Sequence, residues 1–310
     1  MKKIAFLFPG QGSQFAGMGK SLSESYPSAR TIFEQADDAL GFSISRLCFD
    51  GPEEDLKKTE NTQPALLTVS IAAFTVLKEQ GIAPDYVAGH SLGEYSALAA
   101  AGSLAFADAL RIVRRRGQYM QAAVPQGVGA MAALLKLPDG KLDAILAEAA
   151  QGEVVTAANL NSPDQIVIAG NAGAVGRAMD LAKAAGAKRA ILLPVSAPFH
   201  CPLMKPAQEK LAADLEAASF ADLATPMVNN WQARIVRTGS EARKGLYEQV
   251  PNPVRWLESI RVLIGEGVEQ WVEVGAGAVL CGLLKNIDAT QKGLRFSEAQ
   301  DLSSLSELRP

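Results

Sequence analysis

Gly89-His90-Ser91-Leu92-Gly93 has the spacing of a nucleophile elbow, G-x-S-x-G. In such a turn a strand stops and a helix starts within a few residues, and the flanking positions are crowded. Glycine two residues before and two after the serine relieves that crowding. The serine is left at the tip, at a helix N-terminus whose free N–H groups and dipole favour a developing anion. A serine hydroxyl needs a base before it can attack. The chain holds only two histidines, His90 and His200. His90 sits inside the elbow, where flanking side chains point away from the tip. His200, in the loop Ser196-Ala197-Pro198-Phe199-His200-Cys201-Pro202, is therefore the expected base. The plainer alternatives are a turn serine that caps its helix and a structural loop histidine.

A tetrahedral intermediate needs donors for its oxyanion. The backbone N–H of Leu92, next after the serine, is one candidate. That of Gln11, in the loop Pro9-Gly10-Gln11-Gly12-Ser13-Gln14, is the other. This loop fits no phosphate-binding fingerprint: Phe15 stands where G-x-G-x-x-G needs its third glycine, and no Gly-Lys-Ser/Thr follows. Gly275-Ala276-Gly277 lacks the third glycine too, so both loops are expected to be tight turns near the site. Arg116 lies beside the apolar stripe Leu110, Val113, Gly117 and Met120, whereas Arg111 and Arg115 are expected to pair with Asp108 on another helix face. Spacing alone leaves Arg116 between a solvated face and an inward carboxylate clamp.

These residues call for an α/β scaffold, and short apolar runs do alternate with stretches of helical period. Strands are expected at residues 4–8 and 86–88, and helices at 62–80, 92–101 and 104–121. Between 128 and 195 the order is strand, helix, strand, strand, helix, strand, at 128–137, 140–150, 154–160, 165–169, 174–185 and 190–195. That order is the ferredoxin-like split unit. It is expected as a small domain at 126–196, inserted between the two parts of a larger α/β domain, 1–125 and 197–310. Helices at 201–217 and 256–266 and a strand at 270–274 follow.

Composition removes several function classes. The 310 residues carry 30 Lys and Arg against 33 Asp and Glu, which gives no global field for nucleic acid or an anionic membrane. Cys48, Cys201 and Cys281 lie far apart without CxxC spacing, so neither a disulfide framework nor a zinc site is expected. The first apolar run, residues 4–8, is too short for a secretory signal and ends at Pro9-Gly10. No stretch approaches the ~18 apolar residues of a membrane span. A cytoplasmic protein is the expectation.

Five segments in order resemble one known family: Pro9-Gly10-Gln11-Gly12-Ser13-Gln14, Gly89-His90-Ser91-Leu92-Gly93-Glu94-Tyr95-Ser96-Ala97-Leu98, Arg116-Gly117, Phe199-His200-Cys201 and Asn252-Pro253-Val254-Arg255-Trp256. Together they are similar to the malonyl-CoA:acyl carrier protein transacylases of bacterial fatty-acid synthesis, from the first strand to the Val274-Gly275 turn. The resemblance implies a hydrolase-like parallel-sheet α/β core with an inserted ferredoxin-like βαββαβ domain, in agreement with the element order above. It implies that Ser91 carries a malonyl ester, that His200 is its base, and that the Arg116 side chain pairs with the malonyl carboxylate. The backbone amides of Gln11 and Leu92 would hold the oxyanion, and the backbone carbonyl of Gln249 would orient the histidine. A dyad of this kind requires no carboxylate. Phe199 before His200 resembles the form associated with malonyl rather than methylmalonyl selection.

The implied reaction is a ping-pong transfer from malonyl-CoA to the phosphopantetheine thiol of acyl carrier protein, with no cofactor of the enzyme's own. The carriers are acidic, so a local basic docking patch is implied; Lys188-Arg189 and the exposed arginines of the 104–121 helix are candidates. Three alternatives stand beside this reading. A serine esterase or thioesterase would share the elbow without needing an inward arginine. A noncatalytic acyl- or carrier-binding module would need no dyad. A polyketide-type acyltransferase is the third, with the compact length favouring a free-standing enzyme.

Overall fold

The computed structural model describes residues 2–195 and 197–308. In chain order its strands are β1 (Lys3–Phe8), β2 (Tyr86–Gly89), β3 (Gly129–Leu135), β4 (Val155–Ser162), β5 (Gln165–Asn171), β6 (Arg189–Leu192), β7 (Met227–Val228), β8 (Ile235–Val236), β9 (Val268–Val274) and β10 (Gly293–Phe296). Six of them form one sheet in the order β10-β9-β1-β2-β7-β8. Its pairings are parallel except for β7 with β8.

β1 shows why this sheet reads as a continuous apolar run. Ala5 and Leu7 pack with Trp256, Trp271 and Leu284 on one face, while Phe6 and Phe8 pack with Leu66 and Val69 on the other. A strand covered on both sides needs no polar alternation. β1 is also where the strand order reverses, with β2 on one side and β9 on the other. Ligand crevices of parallel sheets open at such a switch point, beyond the carboxyl ends of the strands. The 9–14 loop leaves β1 there, and the elbow leaves β2.

The remaining four strands make a second, antiparallel sheet in the order β4-β5-β3-β6. This is the order of a βαββαβ unit whose first and third strands are central. Ala132, Leu134 and Ile168 face its two helices, Leu142–Ala150 and Ala172–Ala184, against Ile145, Val175 and Ala178. The opposite face presents Met131, Ala133, Val167 and Ala169 to the main core. β4 also meets the rest of the chain by backbone: Leu160 N–H donates to Val254 O and Val254 N–H to Ala158 O, both at 2.9 Å. Ser196, at the expected end of this segment, lies outside the described residues.

Element ends differ from expectation where local chemistry is irregular. The 62–80 helix begins earlier, as Thr59–Glu79, and carries Pro64 in its second turn. The 201–217 helix starts as a 3-10 turn, Pro202–Met204, and becomes α-helical only from Lys205 to Ala217. Among the described residues no helix is long and apolar enough to cross a membrane.

Candidate active site

The elbow is built by close approach. A Cβ on Gly89 would overlap the Gly93 carbonyl, and one on Gly93 would overlap the Phe8 carbonyl oxygen. With both absent, the helix Gly93–Ala100 starts directly above the ends of β1 and β2. Ser91 is left at φ 52°, a left-handed conformation that a non-glycine residue holds only under structural constraint. Asn230 supplies that constraint from beyond β7: its Oδ1 accepts from Ser91 N–H and its Nδ2 donates to Gly89 O, both at 2.7 Å.

His200 meets the elbow from the loop after the second sheet, and it too has a positive φ, 58°. Its Nε2 is 2.7 Å from Ser91 Oγ, and its Nδ1 is 2.9 Å from the Gln249 backbone carbonyl. A carbonyl only accepts, so Nδ1 carries the proton and Nε2 presents its lone pair to the serine. Burial, then the nearby Arg116 charge, holds the imidazole down to about 3, against the opposing Gln249 hydrogen bond. His200 is therefore a neutral acceptor at physiological pH.

Arg116 points inward. Gly117 makes this possible, since a Cβ there would come within 2.6 Å of Glu60 Cα, so the helices Phe106–Ala122 and Thr59–Glu79 pack backbone to backbone. Arg116 is 2 % exposed. Its Nη1 donates to Gln63 Oε1 at 2.7 Å, and its Nη2 to Gln249 Oε1 at 2.8 Å and Ser91 Oγ at 3.1 Å. Its Nε has no hydrogen-bond partner among the described residues. A fork of guanidinium donors thus stands beside the serine tip.

Ser91, His200, Arg116, Gln11 and Leu92 line one cavity of about 120 Å³, with Gln63, His90, Met120 and Phe199. Met131, Asn159, Leu193 and Val195, from the second sheet and the strand exit after it, close the other side. Neither the Gln11 nor the Leu92 backbone N–H is engaged by another group among the described residues. Their donors are free to meet a ligand oxygen.

Several expectations change here. Arg115 pairs with Asp214, not Asp108, because the neighbouring helix Lys205–Ala217 packs closer to it than its own first turn; only Arg111 pairs with Asp108, at 3.2 Å. Arg114 lies over the Phe42 ring and bonds Asn61. The exposed Arg111 and Arg115 and the half-buried Arg114 are thus all engaged. Lys188 and Arg189 are exposed, and neither forms an ion pair among the described residues. His90 lines the cavity, and its Nε2 meets Asn161 Oδ1 at 2.8 Å. The Gly275-Ala276-Gly277 turn approaches Ser13 of the 9–14 loop yet is not part of the cavity wall. Asn230 and Gln63 carried no sequence signal, and Glu94 entered only as part of the elbow segment, with no role of its own; all three are buried polar residues.

A family model described as "Acyl transferase domain" matches residues 5–303. The chain is 50% identical over 303 residues to the malonyl CoA-acyl carrier protein transacylase of Bacillus subtilis (strain 168), covering 97% of this chain and 96% of that protein. The chain belongs to the malonyl CoA-acyl carrier protein transacylase family. Among solved structures, an acyl carrier protein S-malonyltransferase from Vibrio cholerae is similar at a TM-score of 0.96 and 45% identity, covering 98% of this chain and 100% of that one. Another, at a TM-score of 0.96 and 46% identity over 98% of this chain and 99% of that one, is described as a type II PKS acyl-carrier protein in complex with its malonyl-transacylase. Four of the five segments that carried the transacylase resemblance converge in space: the 9–14 loop, the elbow and the Arg116 and His200 segments contribute to the cavity wall, whereas residues 252–256 do not.

Proposed function

We propose that this enzyme transfers the malonyl group from malonyl-CoA to the phosphopantetheine thiol of acyl carrier protein, through a malonyl ester on Ser91, for fatty-acid synthesis. One observation carries the choice of acyl group: a buried guanidinium donates to the nucleophile's own oxygen at 3.1 Å. A plain esterase has no use for that cation. An acyl chain that ends in a carboxylate does.

In the first half-reaction His200 Nε2 takes the Ser91 proton as Oγ attacks the thioester carbon. The Gln11 and Leu92 amides receive the oxyanion. The carbon–sulfur bond then breaks, and the CoA sulfur leaves with the proton from His200. In the second, the carrier thiol gives its proton to His200 and attacks the ester, and Ser91 recovers its proton on leaving. Arg116 has a second effect. Its charge depresses the His200 imidazole. A malonyl carboxylate seated on Arg116 offsets that charge, so the substrate that fits the site also strengthens its base.

The reading extends to four further points. Residues 126–196 form a small domain that shields the ester from water through Met131, Asn159, Leu193 and Val195. Phe199 in the cavity wall favours malonyl over methylmalonyl. The acidic carrier docks at Lys188-Arg189. The compartment is the cytoplasm, and no cofactor takes part. The test compares malonyl-, methylmalonyl- and acetyl-CoA as donors, with holo-carrier and water as acceptors. Ping-pong malonyl transfer to the carrier, far faster than hydrolysis, is expected; equal rates for malonyl and acetyl, or for carrier and water, would contradict it.

A further inference from the structure

Glu94 has no part in the transfer chemistry above, yet it is fully buried three residues after Ser91. Its Oε2 accepts from the Asn230 backbone N–H at 3.1 Å and from Gln249 Nε2 at 2.7 Å. Its Oε1 has no partner among the described residues, and a Cβ placed on Gly245 would come within 3.4 Å of it. The two donors lead to separate parts of the site. Asn230 holds the elbow at the Gly89 carbonyl and the Ser91 N–H, the two backbone groups that flank His90. Gln249 holds the other two groups: its Oε1 accepts from Arg116 at 2.8 Å and its backbone carbonyl from His200 Nδ1 at 2.9 Å.

An amide side chain has a donor end and an acceptor end, which a half-turn exchanges. Arg116 offers only donors and needs the acceptor end. A carboxylate at position 94 offers only acceptors, so it draws the donor end of Gln249 away from Arg116. We infer that Glu94 is a positioning residue: it fixes the orientation of the Gln249 amide, and through it the placement of Arg116 beside Ser91. The same oxygen steadies the elbow through Asn230. This rests on the transfer reading, in which Arg116 receives the malonyl carboxylate.

Burial of a carboxylate costs desolvation that two hydrogen bonds only partly offset, so stability alone is a poor reason for one here. Burial pushes the Glu94 carboxyl up to about 7. A proton taken up there goes to the partnerless Oε1 and leaves both bonds at Oε2. The orientation of Gln249 therefore survives in either charge state. What matters is the acceptor oxygen.

The test compares wild type, Glu94→Ala and Glu94→Gln by the ratio of kcat/KM for malonyl-CoA to that for acetyl-CoA, with holo-carrier as acceptor. The fraction of enzyme that folds cancels in this ratio. Glu94→Ala leaves the donor end of the Gln249 amide only its longer 3.4 Å bond to the Ser91 carbonyl, and is expected to lower the ratio about tenfold or more. Glu94→Gln keeps one oxygen for both bonds and puts its NH2 where the partnerless oxygen was, so its ratio stays within about threefold of wild type. An Ala ratio equal to wild type, or a Gln ratio that falls as far as the Ala ratio, overturns the inference. A wild type that fails to transfer malonyl is a different result, and it overturns the transfer reading and this inference together.

Discussion

His200 Nδ1 and the backbone carbonyl of Gln249 are 2.9 Å apart, and this one hydrogen bond decides which imidazole nitrogen faces Ser91. A backbone carbonyl here does the orienting that a third side chain does in a triad. It carries no full charge, so the imidazolium formed during attack is less stabilised than it would be beside a carboxylate. Removing His200 itself, as His200→Ala, is expected to slow acylation of Ser91 by malonyl-CoA ~10²–10⁴-fold, read by single-turnover release of CoA. A loss of less than tenfold would mean another group serves as base.

The pH dependence follows from the direction of the His200 shift. Its folded value of about 3 lies below the ordinary 6.5, so the imidazole is neutral and able to accept throughout the range above about 5. Protonation of Glu94 near 7 leaves its hydrogen bonds in place. The profile of kcat/KM for malonyl-CoA should therefore be flat from about pH 8 to about pH 5. An acidic limb centred at 6.5 would contradict the burial of this histidine. Stability has the matching sign: the unfolded chain binds a proton on this imidazole below 6.5 and the folded chain does not until about 3, so acidification through that window destabilises the fold.

Arg116→Ala separates recognition from chemistry. Malonyl transfer should fall ~10²–10³-fold, the scale of losing a charge-assisted partner. Acetyl transfer should change little or improve, because the charge that depresses His200 is gone while the dyad remains. Steady-state kinetics with the two CoA esters checks this. Equal losses on both would make Arg116 a structural residue.

Asn230→Ala leaves Ser91 N–H and Gly89 O without their 2.7 Å partners. Each orphaned buried group costs roughly 1–3 kcal/mol, so a destabilisation of about 2–6 kcal/mol is expected in urea unfolding. A loss below about 0.5 kcal/mol would show that water or backbone relaxation replaces the clamp.

The two layers of the site were unequally legible. The elbow could be read because its geometry demands glycine at two set positions between a strand and a helix, and both overlaps exist in the fold. The second sheet could be read because its strand–helix order is contiguous in the chain. Arg116 was ambiguous: its inward turn depends on Gly117 letting two helices approach, a contact between residues 57 positions apart. Asn230 was invisible for the same reason, and Glu94 stood in the elbow segment without a legible role. Each acts through hydrogen bonds across more than 130 residues of chain, and no local period records such a partner. The two-residue strands β7 and β8 were missed because they are too short to establish a period; the helices between residues 20 and 56, of which Pro27–Leu40 runs fourteen residues, and at Gly239–Glu248 were also left unassigned.

The central claim is that Ser91 carries the malonyl group between two thiols. Intact-mass and peptide mass spectrometry after incubation with malonyl-CoA alone tests it most directly. One malonyl adduct is expected on the peptide that contains Ser91, discharged on adding holo-acyl carrier protein and absent from Ser91→Ala. An adduct retained on Ser91→Ala, or transfer to the carrier by that variant at the wild-type rate, would contradict it.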